Sequence, residues 1–242
     1  MQAVILAGGL GTRLLPLTQS VPKAMVPVCG RPFLTYQLEY LAHHGIRDVI
    51  LCVGHLGSGI ESHFGDGRPF GVTIRYGHDG DRLLGTAGAI KNVEHLLDDA
   101  FFVTYGDSYT VVDFATIMEH FLRRDRLGLM VVFKNEGRWD RSNVVVDGEY
   151  VRVYDKQHTH SGMHYIDFGV SLFRQTAFQD VPEGMPADLN DINQRLIAEQ
   201  QLLAYETRDR FYEIGSVAGL REFETLLRLG TIAHPGPAVE SS

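Results

Sequence analysis

The chain has 242 residues, 44% hydrophobic and 21% charged, a balance that suits a folded globular protein and excludes wholesale disorder. It carries 22 Lys+Arg against 30 Asp+Glu, a formal charge of −8, so nucleic acid is not an expected partner. No run of 18 apolar residues occurs, so no membrane-spanning helix is expected, and the chain is read as cytoplasmic.

Residues 3–6 (AVIL) read as a buried first strand, and the opening MQAVILAGG as that strand and its turn rather than a leader. Phe33, Leu34, Leu38 and Leu41 fall near helical spacing and predict a helix over 33–44, stopped by Gly45. Residues 48–53 (DVILCV) read as a second strand, 57–64 as a short helix, 72–76 as a third strand, 86–97 as a helix and 101–105 as another strand. Asp113 is placed to cap a helix over 114–123. Continuous apolar strands separated by helices imply an α/β fold, a mostly parallel sheet covered on both faces.

The rhythm then changes. Residues 127–133, 143–146, 150–154 and 165–173 read as strands with little helix between them, and Asp147-Gly148 signals a hairpin. An antiparallel or mixed extension of the sheet is expected. Helices return over 189–200 and 218–229, with Asp188 and Ser216 as caps. The expected organisation is one domain over 1–233 and a frayed tail over 234–242, which is rich in Pro, Gly and Ser.

Cys29 and Cys52 sit in apolar contexts and read as buried free thiols. His158 and His160 would share a strand face without an acidic partner, so no structural zinc is expected.

The strongest local signal is Leu6-Ala7-Gly8-Gly9-Leu10-Gly11-Thr12-Arg13, directly after the first strand. Three glycines in four positions let backbone N–H groups approach an anion closely, although a tight ligand-free turn would use the same glycines. The string is not a P-loop, and Leu14 stands where a dinucleotide fingerprint needs its third glycine. Pro16 and Pro22 also break the segment where a dinucleotide-type helix would run. Lys23 follows Pro22 on a stiff backbone, well placed to face a phosphate.

Together these residues resemble the sugar-1-phosphate nucleotidylyltransferase family. Gly8 to Arg13 matches GGxGTR, and Pro22 to Pro32 matches PKxMxPVxGxP. Leu84-Gly85-Thr86-Ala87-Gly88-Ala89 is similar to the family's base-recognition segment, and Tyr105-Gly106-Asp107-Ser108 to its metal-binding GD motif. Asp155-Lys156 resembles the (E/D)K pair, and Tyr212-Glu213-Ile214-Gly215-Ser216 the late (W/Y)xDIG(T/S) segment. That late segment usually carries Asp where this chain has Glu213. The resemblance spans roughly residues 2–229, and the left-handed β-helix of longer members is not expected here.

The resemblance implies the nucleotide-diphospho-sugar transferase fold, a Rossmann-like sheet with an antiparallel extension for the sugar. It implies Mg²⁺-dependent joining of a nucleoside triphosphate and a sugar-1-phosphate, with pyrophosphate released. Arg13, Lys23 and Asp107 would be catalytic. Leu6, Ala7, Gly8, Gly9, Gly11, Thr12, Gly85, Thr86 and Gly88 would hold the nucleotide, with Thr86 also capping its own helix. Asn143, Lys156, Asp167 and Gly169 would hold the sugar phosphate, and Asp107 with Glu213 the metal. Tyr165 and Asp188 read as structural; Trp139 suits either a loop over the sugar or surface packing. Short bacterial members near heptose-1-phosphate and mannose-1-phosphate guanylyltransferases match best, which makes GTP the expected base donor. Thymidylyl-, uridylyl- and cytidylyltransferases are alternatives, as is a non-catalytic regulatory subunit that binds nucleotide-sugars. The family often forms dimers and tetramers, which leaves room for a homo-oligomer.

Overall fold

The computed structural model describes residues 1–135, 141–232 and 234. Trp139 and the tail beyond His234 therefore lie outside the described residues.

The apolar run at the start forms β1 (Gln2–Leu6). Two short strands, β2 (Pro27–Val28) and β3 (Arg31–Pro32), pair as a small ribbon before α1 (Phe33–His43). Gly45 ends α1: its left-handed backbone (φ +77°) lets the Ile46 N–H reach back to the Leu41 carbonyl at 2.9 Å. β4 (Asp48–Val53), α2 (Gly57–Phe64) and β5 (Thr73–His78) follow. Next come α3 (Gly85–Asn92), β6 (Ala100–Tyr105) and β7 (Ser108–Tyr109). Asp113 accepts the Thr116 N–H and caps α4 (Phe114–Leu122), as its position predicts.

The strand-rich half supplies β8 (Gly128–Lys134), β9 (Val144–Asp147), β10 (Tyr150–Tyr154) and β11 (Tyr165–Arg174). β9 and β10 pair antiparallel around the expected Asp147-Gly148 turn. α5 (Leu189–Ala198), β12 (Leu202–Thr207), β13 (Tyr212–Glu213) and α6 (Val217–Arg228) complete the order. Asp188 and Ser216 cap α5 and α6.

Nine strands form one sheet in the order β5-β4-β1-β6-β11-β8-β12-β10-β9. The first four are mutually parallel, and β11 runs against both β6 and β8. β12 runs parallel to β8, while β10 and β9 turn back to give the antiparallel extension. Alternation along each strand divides the core. Ile5, Leu51 and Phe102 face α1, α2, α4 and α6, while Val4, Ile50 and Val103 face α3 and α5. Phe33, Phe64, Phe114 and Phe223 are almost wholly buried on the first face, and each such ring contributes roughly 1.5–3 kcal/mol by burial.

Three expectations need correction. The helix over 86–97 stops at Asn92, because Val93 docks on Gly77 of β5: a Cβ there would stand 2.1 Å from Val93 Cγ1. β12 has no counterpart in the sequence reading, which continued the preceding helix to Gln200; the chain instead turns through left-handed Gln200 (φ +54°) into a six-residue ladder on β8. Cys29 is exposed, since its left-handed turn between β2 and β3 faces outward, whereas Cys52 is buried in β4.

Candidate active site

β1 and β6 are register partners, Leu6 against Tyr105, so the glycine loop and the Gly106-Asp107 turn leave the sheet side by side at its C-terminal edge. Ligands of open α/β sheets bind at that edge. Gly106 permits the close approach: its Cβ would stand 3.1 Å from that of Ala7. Gln37 of α1 holds the turn, donating to the Tyr105 carbonyl at 2.8 Å and to that of Ser108. The loop itself is pinned where Thr18 Oγ1 donates to the Gly11 carbonyl at 2.7 Å. Gly11 is left-handed (φ +63°), and Gly9 faces open space.

Charge gathers at the Gly11 end of the loop. Lys23 forms an ion pair with Asp107, whose side chains are only 15% and 23% exposed, so water screens the pair little. β13 pairs with β7, setting Glu213 opposite Ser108, and the Ile214 N–H donates to the Asp107 carbonyl at 2.9 Å. Gly215 then lies among the charges. A Cβ there would stand 3.2 Å from Arg13 Nη2, 3.3 Å from Lys23 Nζ and 3.4 Å from Glu213 Oε2. Two cations and one carboxylate thus converge on one glycine, and Asp107 joins them through its ion pair with Lys23.

A cavity of about 300 Å³ runs beside this centre, lined by Leu6 to Gly9, Gly11, Lys23, Gly85, Thr86 and Asp107 among others. A second cavity, about 790 Å³, shares Thr86, Tyr105 and Asp188 with it and opens onto Lys156. A register break in β11, from Asp167 to Ser171, frees a short segment from β8. Asp167 accepts from Tyr154 Oη (2.7 Å) and from the Gly169 N–H (3.0 Å), and its own N–H donates to Asn143 Oδ1 (2.9 Å). Lys156 Nζ lies 3.7 Å from Asp167 Oδ2 and 5.3 Å from the centre of the Tyr154 ring. Burial, with Asp167 next in effect, pushes the Tyr154 hydroxyl far above its ordinary value, so it stays a donor.

A family model for nucleotidyl transferases matches residues 2–228. The chain belongs to the nucleotidyl transferase family. It is 30% identical to the UTP–glucose-1-phosphate uridylyltransferase of Synechocystis sp. over 207 residues, covering 78% of this chain and 53% of that protein. It is 32% identical to the D-glycero-alpha-D-manno-heptose 1-phosphate guanylyltransferase of Campylobacter jejuni over 181 residues, 74% of this chain and 79% of that one. The chain thus spans about half the length of the first relative and most of the second. The crystal structure of HddC from Yersinia pseudotuberculosis complexed with GMP-PN superposes with a TM-score of 0.77 at 25% identity, over 93% of this chain and 99% of that one.

In this nucleotidyl transferase the expected site residues fall into three groups. Arg13, Lys23 and Glu213 meet at Gly215, and Asp107 pairs with Lys23 there. Leu6, Ala7, Gly8, Gly9, Gly11, Gly85 and Thr86 line the smaller cavity. Asn143, Lys156, Asp167 and Gly169 form one hydrogen-bonded and ion-paired cluster. Thr12 is exposed on the turn over Thr12–Leu14. Gly88 packs elsewhere: its N–H reaches the Ala187 carbonyl, and a Cβ would stand 2.6 Å from the Met185 carbonyl. The cap expected of Thr86 is also redirected. α3 has no side-chain cap, and Thr86 Oγ1 instead accepts the Leu189 N–H of α5 at 2.6 Å.

His158 and His160 do have an acidic partner. The chain turns after β10, and both rings reach Asp155 Oδ2, at 3.1 and 2.8 Å. The hydrogen bond from His160, aided by two backbone N–H donors, holds that carboxyl well below the usual range. The sequence reading missed Asp79, which lines the smaller cavity, and Gly215 as the meeting point of the charges. It read Asp188 as structural; the carboxylate caps α5 and also lines both cavities.

Proposed function

We infer that the chain catalyses attack of a sugar-1-phosphate oxygen on the α-phosphorus of a nucleoside triphosphate. The new P–O bond forms as the bond to the β-phosphate breaks, and pyrophosphate leaves. The convergence of Arg13, Lys23 and Glu213 on Gly215, with Asp107 paired to Lys23 beside the glycine loop, carries this reading. Two polyanions must meet, so charge neutralisation and in-line positioning supply most of the catalysis. Arg13 offers a bidentate fork to the departing pyrophosphate. Lys23 exchanges part of its contact with Asp107 for phosphate oxygens as the triphosphate enters. Lys156, backed by Asp167, holds the sugar phosphate, and Asn143 with Gly169 orients the sugar.

Mg²⁺ suits this centre. Mg²⁺ takes hard oxygen donors, commonly one or two carboxylates completed by water and substrate phosphates. Asp107, in the turn between β6 and β7, and Glu213 of β13 supply two carboxylates, and the described residues contain no larger metal cluster. When bound, the ion neutralises developing phosphate charge. We assign GTP with heptose- or mannose-1-phosphate as substrates, supported by the Campylobacter relative and the GMP-PN complex. Both substrates are soluble anions, and we place the reaction with them in the cytoplasm. No helix among the described residues is long and apolar enough to cross a membrane.

The test is a matrix of nucleoside triphosphates against heptose-, mannose-, glucose- and N-acetylglucosamine-1-phosphates, read by pyrophosphate release and mass spectrometry. One pair should turn over with Mg²⁺, and Lys23→Ala and Asp107→Ala should each lower kcat/KM at least ~100-fold, the scale of losing a transition-state charge contact. Nucleotide binding without turnover on any pair would favour a sensor, and absence of nucleotide binding would reject the site.

A further inference from the structure

Three carboxylates border Lys156 or its cavity, and each has other partners. Asp188 lines the larger cavity together with Lys156, and its Oδ1 accepts the Asn190 N–H at 2.8 Å. Asp167, 3.7 Å from Lys156 Nζ, is held by Tyr154 Oη and the Gly169 N–H. Asp155 is the chain neighbour of Lys156 and lines the same cavity. Its Oδ1 accepts the Gln157 N–H at 2.7 Å and the His158 N–H at 3.0 Å. Its Oδ2 meets His158 Nδ1 at 3.1 Å and His160 Nε2 at 2.8 Å. An ionised carboxylate accepts only, at about four sites, so the ring nitrogens are donors here and the carboxylate is saturated. Among the described residues, Lys156 pairs with Asp167 and not with Asp155.

The local chain builds this arrangement. β10 ends at Tyr154, and the Asp155 N–H donates to the Asn143 carbonyl at 3.0 Å, which ties the start of the turn to the residue before β9. Gln157 and His158 then fold back over the carboxylate, and His160 brings a second ring. The backbone N–H of His160 is anchored on the sulfur of buried Met163 at 3.3 Å. The two side chains are 73% and 47% exposed, so neither ring is there to fill the core. Their shared contact is the Asp155 carboxylate.

Lys156 is the one Lys or Arg that lines this cavity among the described residues. A phosphate entering it meets that cation together with the carboxylates of Asp155 and Asp188. An unengaged carboxylate beside the lysine would either pair with its ammonium or repel the phosphate. We propose that His158 and His160 are positioning residues that draw the Asp155 carboxylate to their own side and leave the Lys156 ammonium to the acceptor's phosphate. This rests on the reading of Lys156 as the group that holds the sugar phosphate. The two histidines act through Asp155, not on the acceptor.

Steady-state kinetics at saturating GTP and Mg²⁺, with mannose- or heptose-1-phosphate varied, test this. The proteins are the unaltered chain, the double variant His158→Ala with His160→Ala, the single variant Asp155→Asn, and all three substitutions together, each checked for an unchanged thermal transition. The double variant should raise the acceptor's KM about 5- to 10-fold, the scale of one freed like charge at a solvent-open cavity, with kcat and the KM for GTP within about twofold. Asp155→Asn removes that charge, so adding the histidine substitutions to it should raise KM no further. A merely structural role for the rings would raise KM equally in both backgrounds. An unchanged KM in the double variant, or the same rise on top of Asp155→Asn, would overturn the proposal while leaving the transfer reaction standing. Turnover of neither acceptor by the unaltered protein would overturn the substrate reading and the proposal together.

Discussion

Gly215 is surrounded by Arg13 Nη2, Lys23 Nζ and Glu213 Oε2, all close to where its Cβ would be. These are the far ends of flexible side chains, so a methyl group there should displace charge rather than break the fold. Gly215→Ala is expected to keep its melting temperature within about 3 °C, the equivalent of about 1 kcal/mol in a chain of this size. Its kcat/KM should fall at least ~10-fold, since small misplacement of positioning groups costs heavily in rate. A large melting shift with unchanged kinetics would place Gly215 in the scaffold instead. Lys23 and Asp107 were legible in the sequence because each sits in an ordered motif. The role of Gly215 was not, because it depends on β13 meeting β7 across a hundred residues of chain. Asp79 was invisible for another reason: a lone acid after a strand is ordinary, and only the fold shows what it faces.

α1 does two jobs. One face packs Phe33, Leu34 and Leu38 into the core, and the other carries Gln37 to the Asp107 turn and Glu39 to a buried ion cluster. Glu39 pairs with Arg31 of β3 and accepts from His234 Nε2 at 2.9 Å; its side chain is 3% exposed. Burial alone would raise its pKa, but the hydrogen bonds from His234 and Arg31 outweigh burial and the net shift is downward. A lowered folded-state pKa contributes stability that is complete above the ordinary glutamate range and lost as pH falls through the lowered value. Melting temperature should therefore drop on acidification below about pH 4.3, the unperturbed glutamate value. In Glu39→Gln the acid limb should be shallower and the neutral melting point lower. Parallel acid limbs in the two proteins would exclude Glu39 from that loss.

Elements with strong periodicity and clear ends were legible: α1 with Gly45, α4 with Asp113, and β9–β10 with Asp147-Gly148. Those decided by distant partners were not. α3 ends where Val93 meets Gly77, and β12 is a strand because β8 presents it a free edge.

At the scale of the molecule, the net charge of −8 would oppose the two polyanionic substrates proposed above. Screening over about 8 Å at physiological salt confines that repulsion, so local cations decide binding. Arg13 and Lys23 stand at one cluster and Lys156 at another, on the two sides of the Tyr105–Asp107 turn that ends β6. The parallel half of the sheet presents the glycine loop, and β9 to β11 of the antiparallel half present the sugar-side cluster. The order of the sheet thereby sets two cationic clusters beside cavities that share Thr86, Tyr105 and Asp188, the arrangement that the proposed transfer between two phosphates requires. The bond that breaks is the most direct witness. Parallel reactions with heptose- or mannose-1-phosphate should use GTP labelled at either the α- or the γ-phosphorus. The expected result is α-label in the sugar nucleotide and γ-label wholly in pyrophosphate. Gamma-label on the sugar, or its release as inorganic phosphate, would contradict nucleotidylyl transfer at this site.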